Sequence, residues 1–340
     1  MEIEFETNGI AEINIGMLKL FILLYADDIV FFADSENGMQ NALNFLSEYC
    51  QKWKLKVNTT KTKIVVFRKG GMLPRNLHFY YNGSEIEIVT KFTYLGIVFT
   101  PGGSFKETQS LLAGQALKAI FKLNSYLYKF TDITPLHRLQ LFDKLISPIL
   151  SYGSEIWGFV AGQQIEKVHL QFCKSLLGVK KSTQNDFIYG ELGRTPLIIA
   201  RHIHIIKYWF KIIETPANKY RKQIYNMMLT DIIDLPTKSN WASLVRTLLS
   251  NYGFYHVWLN QGVGNVHTFL SIFKQRLTDI FVQQWQSRIN DSSRALFYKN
   301  VCEFKLQYYL KDITVMKFRT AFARLKVSSH RLAIESGRWN

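Results

Sequence analysis

The chain has 340 residues, 47% of them apolar and 20% charged, which excludes a disordered chain and leaves room for two or three domains. Lys and Arg number 42 against 26 Asp and Glu, a net charge of +16 that points to nucleic acid ahead of a membrane surface, since no polybasic run flanks an apolar anchor. Cys50, Cys173 and Cys302 form no metal-ligand spacing, no signal peptide is legible and no apolar run is long enough for a bilayer, so free thiols and a nuclear or cytoplasmic chain without a membrane are expected.

The first hundred residues read as mixed α/β. Leu18–Tyr25 and Ile29–Ala33 are rich in β-formers and flank Ala26-Asp27-Asp28, a hairpin signal with acids at its tip. Ser35 caps a predicted helix whose apolar face runs through Met39, Ala42, Leu43, Leu46, Cys50 and Trp53. Ile64–Phe67 reads as a short strand. His78–Tyr81 and Glu85–Val89 enclose Asn82-Gly83-Ser84, a second hairpin turn. Phe92–Phe99 reads as one further strand, closed by Pro101-Gly102-Gly103.

From Phe105 the period changes to 3.6 and the chain reads as almost entirely helical. Leu112, Ala116, Ala119 and Leu123 define one apolar face, with Lys118, Lys122 and Lys129 nearby. Thr134-Pro135 starts a helix with Leu136, Leu139, Phe142, Leu145, Ile146 and Ile149 as its buried stripe. Further helices are predicted over Gln164–Leu177, Leu197–Ile213, Ala217–Thr230, Trp241–Ser250, Val266–Ile289 and Ile313–Lys326, with breaks at Pro216 and Pro236. Trp53, Trp157, Trp209 and Trp339 are read as core residues more than as base-stacking ones. His202 and His204, two apart on a helix, face different ways and offer no metal pair.

Adjacent aspartates inside an apolar run carry the chemistry. On a flat strand one of the two charges would be buried; a hairpin tip lets both carboxylates reach one opening. Their mutual repulsion invites a cation, and hard oxygen ligands suit Mg²⁺. The chemistry then served is phosphoryl transfer; for a bare Asp-Asp pair the other reading is an exposed turn.

The context resolves that choice. LLYADDIVFFAD (23–34) resembles the metal-binding hairpin of reverse transcriptases, and its Ala26 and Phe-Ala-Asp-Ser ending resemble the non-LTR retrotransposon branch. LKVNTTKTKIVVF (55–67) and KFTYLGIVF (91–99) resemble the next two palm blocks, in the right order. HRLQLFDKLISPILSYGSEIWG (137–158), YGELGRTPL (189–197) and HRLAIESGRWN (330–340) resemble the thumb and later regions of jockey-like elements. The resemblance implies an α+β chain: a partial polymerase palm (antiparallel sheet with a helix) over 1–103, a helical thumb over 104–180 and a helical C-terminal region over 181–340.

By the same resemblance Asp27 and Asp28 bind Mg²⁺ or Mn²⁺ at the catalytic centre, and Tyr25 lies beneath the primer terminus or incoming nucleotide. Tyr94, Leu95 and Gly96 shape a primer grip, with a packed sheet aromatic as the other reading of Tyr94. Lys61 is either a proton donor near the pyrophosphate or a solvated lysine before a strand, and Lys63 shares that ambiguity. The implied partners are an RNA template, a DNA primer and deoxynucleoside triphosphates. The family places a further palm aspartate and the fingers before the hairpin, but the 24 residues ahead of Tyr25 hold no aspartate. A fragment inactive on its own is therefore expected, with a non-catalytic nucleic-acid-binding module or a domesticated or degenerate remnant as the alternatives.

Overall fold

The structure, a computed structural model, describes residues 13–15, 18–20 and 22–330, apart from 75, 131–132 and 235–238. The readings made for Pro236, for Trp339 and for most of 330–340 lie outside the described residues. The chain divides into two compact units, Met1–Thr108 with Thr215–Ala242, and Gln109–Glu214 with Ser243–Asn340.

In the first unit the described strands pair locally, as antiparallel hairpins. Strand β1 (Ile13–Ile15) pairs with β2 (Leu18–Leu20), and β3 (Ile22–Tyr25) pairs with β4 (Asp28–Phe31). The apolar run 18–25 is thus divided between two ribbons where one strand was expected. Helix α1 (Glu36–Trp53) begins as predicted: the Ser35 hydroxyl accepts from Gly38 N–H at 3.2 Å and satisfies one of the orphan donors of the first turn. It ends where Lys54 turns left-handed at φ 53°. Trp53 departs from the expected face; it is 56% exposed and leans on Tyr49 instead, with Lys52 over its ring.

Leu43, Leu46 and Cys50 of α1 form one core with Ile64, Phe79, Tyr81 and Ile86. Strands β5 (Tyr80–Tyr81) and β6 (Ser84–Glu85) are joined by Asn82 at φ 48° and Gly83 at φ 75°, the two left-handed positions that an Asn-Gly hairpin turn requires. Gln40 fastens the helix to this ribbon: its amide donates to Tyr80 O at 2.8 Å and accepts from Tyr80 N–H at 2.9 Å, standing in for a strand partner. The strand expected over 64–67 is a single parallel bridge, Ile64 with Ile88.

The strand expected over 92–99 is a hairpin. Strand β7 (Phe92–Tyr94) turns through Leu95 at φ 47° and Gly96 at φ 78° into β8 (Ile97–Phe99). Two successive left-handed residues reverse the chain inside a run whose composition alone reads as continuous β. Helix α2 (Lys106–Leu127) follows, and its Thr108 hydroxyl bonds both Val98 N–H, at 3.0 Å, and Val98 O, at 3.1 Å.

The second unit is helical. Thr134 caps α3 (Pro135–Leu141) by accepting from His137 N–H. A π-turn over Phe142–Ile146 then leads into α4 (Ser147–Leu150); Pro148, with no N–H and a ring that crowds the carbonyl four residues back, accounts for the break in register. The shift leaves Leu145 exposed, as Leu136 is, so the expected stripe keeps Leu139, Phe142 and Ile146 buried, with Ile149 half-buried. There follow α5 (Ser154–Trp157), α6 (Gln163–Leu177), α7 (Asn185–Leu192) and α8 (Leu197–Ile213). Helix α9 (Tyr220–Asp234) belongs to the first unit; α10 (Trp241–Asn251) starts at the boundary. Then come α11 (Tyr255–Leu259), α12 (Val266–Asp291), α13 (Tyr309–Asp312) and α14 (Met316–Lys326).

The segment 189–197 is the hub of this unit. Tyr189 Oη donates to Glu166 Oε1 at 2.7 Å, and His169 Nδ1 bonds the same carboxylate at 2.9 Å. Burial alone would raise Glu166, but bonds from His169, Tyr189 and Leu197 N–H outweigh it and hold its pKa below the ordinary value. Glu191, fully buried, stands 2.8 Å from Lys326 Nζ and accepts from Tyr309 Oη at 2.8 Å. Arg194 forks onto Asp143 at 2.6 and 2.9 Å. No helix among the described residues is long and apolar enough to cross a membrane.

Candidate active site

The β3–β4 ribbon decides how the two aspartates stand. Tyr25 pairs directly with Asp28, so Ala26 and Asp27 alone make the turn. Cross-strand partners share a face, and faces alternate along a strand. One face therefore carries Leu23, Tyr25, Asp28 and Val30, and the other carries Ile22, Leu24, Ile29 and Phe31. The second face anchors the ribbon: Ile22 is 4% exposed, and Phe31 packs on the core that α1 covers. Anchored at its base, the ribbon holds its tip in solvent, with Tyr25, Asp27 and Asp28 all exposed.

Ala26 adopts φ 52°. The left-handed region costs an alanine on the order of 1 kcal/mol, a strain that glycine would avoid. The tightness of this turn is what lets neighbouring carboxylates escape opposite faces of a strand.

Tyr94, in a second hairpin, is electrostatically coupled to the first. The Tyr94 hydroxyl lies within electrostatic reach of Asp28: burial, and then the negative charge of Asp28, raise its pKa above the ordinary phenol value. Tyr94 ends β7, and Leu95 and Gly96 form the turn beyond it.

Lys61 lies in a turn built on Asn58, whose carbonyl and side-chain oxygen accept from Lys61 N–H at 3.1 and 3.2 Å. Its own side chain is exposed. Lys63 separates from it, since its ammonium pairs with Glu87 at 2.6 Å and fixes the 64–88 bridge region. Among the described residues no three His, Cys, Asp or Glu side chains gather as a metal cage. Two exposed carboxylates still fit a magnesium-sized ion, which keeps several waters and takes one or two protein carboxylates together with substrate phosphates. His202 and His204 go separate ways, the first to Phe159 O at 3.3 Å and the second to the Ser154 hydroxyl at 3.3 Å.

The model of the family described as reverse transcriptase (RNA-dependent DNA polymerase) matches residues 5–99, which include both hairpins. A putative uncharacterized transposon-derived protein of Caenorhabditis elegans is 27% identical over 168 residues, 48% of this chain and 59% of that protein. The probable RNA-directed DNA polymerase from transposon BS of Drosophila melanogaster is 24% identical over 158 residues, 45% of this chain and 17% of that protein. The RNA-directed DNA polymerase from mobile element jockey of Drosophila funebris is 22% identical over 164 residues, 46% and 18% of the two chains. The matched span is thus a little over half of the nematode relative and under a fifth of each fly polymerase. No solved structure matches this chain.

Proposed function

As a relative of the reverse transcriptases of non-LTR retrotransposons, this chain, we propose, carries the carboxylate pair of a polymerase palm, serving template-directed DNA synthesis in the intact protein. One observation carries the reading: an alanine strained into the left-handed region at a solvent-facing tip, with an aspartate in the turn and another beside it. Strain of this kind persists where the surroundings over-determine it, and two exposed acids give it a purpose.

In this proposal Asp27 and Asp28 hold Mg²⁺ or Mn²⁺. The bound ions supply activation of a primer 3′-hydroxyl and charge neutralisation at the departing pyrophosphate. Tyr25, on the face of Asp28, gives apolar support to the primer end or the incoming nucleotide. The Tyr94-Leu95-Gly96 turn shapes the grip on the primer, with its left-handed residues setting how closely backbone approaches it. Lys61 stands as the candidate proton donor to pyrophosphate. The partners are an RNA template, a DNA primer and deoxynucleoside triphosphates, in the nucleus or cytoplasm.

Among the described residues no third ligand joins the two carboxylates; such a pair binds ions weakly and forgoes much of the transition-state stabilisation, so the 340-residue polypeptide alone is proposed to extend no primer. The test has two parts. Titration followed by electron paramagnetic resonance should show weak Mn²⁺ binding that disappears in Asp27→Asn/Asp28→Asn. Primer extension on a homopolymer RNA template should show no product. Mn²⁺ binding indifferent to the double substitution removes the metal role, and extension abolished by Asp27→Asn removes the claim of inactivity.

A further inference from the structure

Residues 174–185 and 313–330 lie far apart in sequence, and neither stretch contains a single Asp or Glu. The first carries Lys174, Lys180 and Lys181; the second carries Lys317, Arg319, Arg324 and Lys326. The fold brings the two together within the second unit. Gly178, at φ +67°, ends α6, and a Cβ there would meet Thr320 Cγ2 of α14 at 2.7 Å, so the loop and the helix are in direct contact. Arg324 Nε donates to Gly178 O at 2.6 Å, and Lys180 N–H donates to Ser329 Oγ at 2.9 Å.

Several of these cations, Lys174, Lys180 and Arg324 among them, donate to backbone carbonyls. Lys174 Nζ donates to Lys181 O at 2.8 Å, and Lys180 Nζ donates to His330 O at 3.0 Å. A carbonyl orients an ammonium without bringing an opposite formal charge to it. The adjoining acids are already engaged, Asp186 by Arg288 at 2.9 Å and Glu191 by the buried Lys326. On α14, Lys317, Thr320 and Arg324 fall on one face by their spacing of three and four, the face that meets Gly178. Lys180, Lys181, Lys317 and Arg324 are all exposed.

We propose that this acid-free face, built from the loop after α6 and from α14, binds the sugar–phosphate backbone of nucleic acid. The charge fits a polyanion, and the carbonyl anchors hold Lys174, Lys180 and Arg324 in place at little further cost in ordering. This inference rests on the nucleic-acid reading above and places one contact surface away from the aspartate pair.

The experiment uses the whole chain and a fluorescein-labelled oligouridine, read by anisotropy over a salt series. The variant Lys180→Gln/Lys181→Gln/Lys317→Gln removes three exposed charges and the Lys180 bond to His330 O, and an unchanged melting temperature verifies its fold. The control removes the same charge elsewhere, as Lys56→Gln/Lys69→Gln/Lys274→Gln. The patch variant should bind at least about tenfold more weakly and lower the slope of log affinity against log salt by about 2, more than the control does. An equal fall in both variants, no fall in either, or no RNA binding by the wild type overturns the proposal. So does capture by phosphatidylserine vesicles in place of RNA. If RNA binding survives in the patch variant while Mn²⁺ binding still depends on Asp27 and Asp28, this surface is wrong and the palm reading stands.

Discussion

Replacing Lys326 by methionine keeps the length of the side chain and deletes its charge. In the wild type Lys326 Nζ stands 2.8 Å from Glu191 Oε1, close enough for an ion pair though not aligned as a hydrogen bond, and it donates to Gln307 Oε1 at 2.8 Å. The variant leaves the Glu191 carboxylate fully buried, with the Tyr309 hydroxyl still donating to it but no cation beside it. Stranding a buried charge this way costs about 3–5 kcal/mol. The opposite change, Glu191→Gln, should cost less, about 1–3 kcal/mol. The ammonium it leaves behind retains Gln307 and the ring faces of Tyr298 and Tyr309, 5.8 and 5.9 Å from Nζ to centroid. The double variant has no stranded charge, so its loss should fall short of the two single losses added together by at least about 1 kcal/mol. Urea unfolding followed by tryptophan fluorescence measures all four proteins, with Trp285 in the same buried cluster as Tyr298. A Lys326→Met loss below about 1 kcal/mol, or strict additivity in the double variant, would refute the account of a desolvated pair.

His202 makes stability depend on acid. Burial, opposed by its bond to Phe159 O and aided by the charge of Arg201, lowers its pKa from 6.5 to about 4. The unfolded chain then takes up a proton that the folded chain refuses, so stability is full above about 6.5 and is lost as pH falls toward 4, by about 3 kcal/mol. His202→Gln should flatten that part of the stability–pH curve, and an unaltered curve would rule the residue out. Gly190→Ala puts a Cβ 2.5 Å from Trp285 Cζ2 and 2.6 Å from Tyr298 Oη, and the overpacking should cost about 1–3 kcal/mol in thermal unfolding; a wild-type melting temperature would count against it. Asp27→Asn, at an exposed tip, should change stability by less than about 0.5 kcal/mol, and a larger loss would mean that the acid serves the fold.

Local chemistry is what the sequence alone determined. Ser35 and Thr134 cap helices where their side chains can reach the backbone three residues on, and Asn82-Gly83 supplies the two left-handed positions of its turn. The helix Leu197–Ile213 begins and ends where its apolar period does, between Pro196 and the turn before Pro216. The Tyr25-to-Asp28 tip belongs to the same class, since the conflict between adjacent charges and an apolar ribbon exists within a few residues. Leu95-Gly96 lies at the margin: Gly96 is a visible signal, but the β-rich residues on both sides hide a reversal that needs Leu95 left-handed as well. Ala26 gives no signal at all, because nothing in an alanine announces a positive φ.

Tertiary structure decided the rest, because contacts across a hundred residues leave no periodic trace. Glu191 reads as one more helical acid until Lys326 and Tyr309 close around it. Tyr94 gains its relation to Asp28 only when folding brings it within electrostatic reach of a separate hairpin. The missing acids of 174–185 and 313–330 are visible as composition, but they become a surface only because Gly178 admits Thr320 against it. Propensity and capping act over the few residues whose backbone one side chain can reach; charge and burial act through space, and only the folded chain assigns the neighbours.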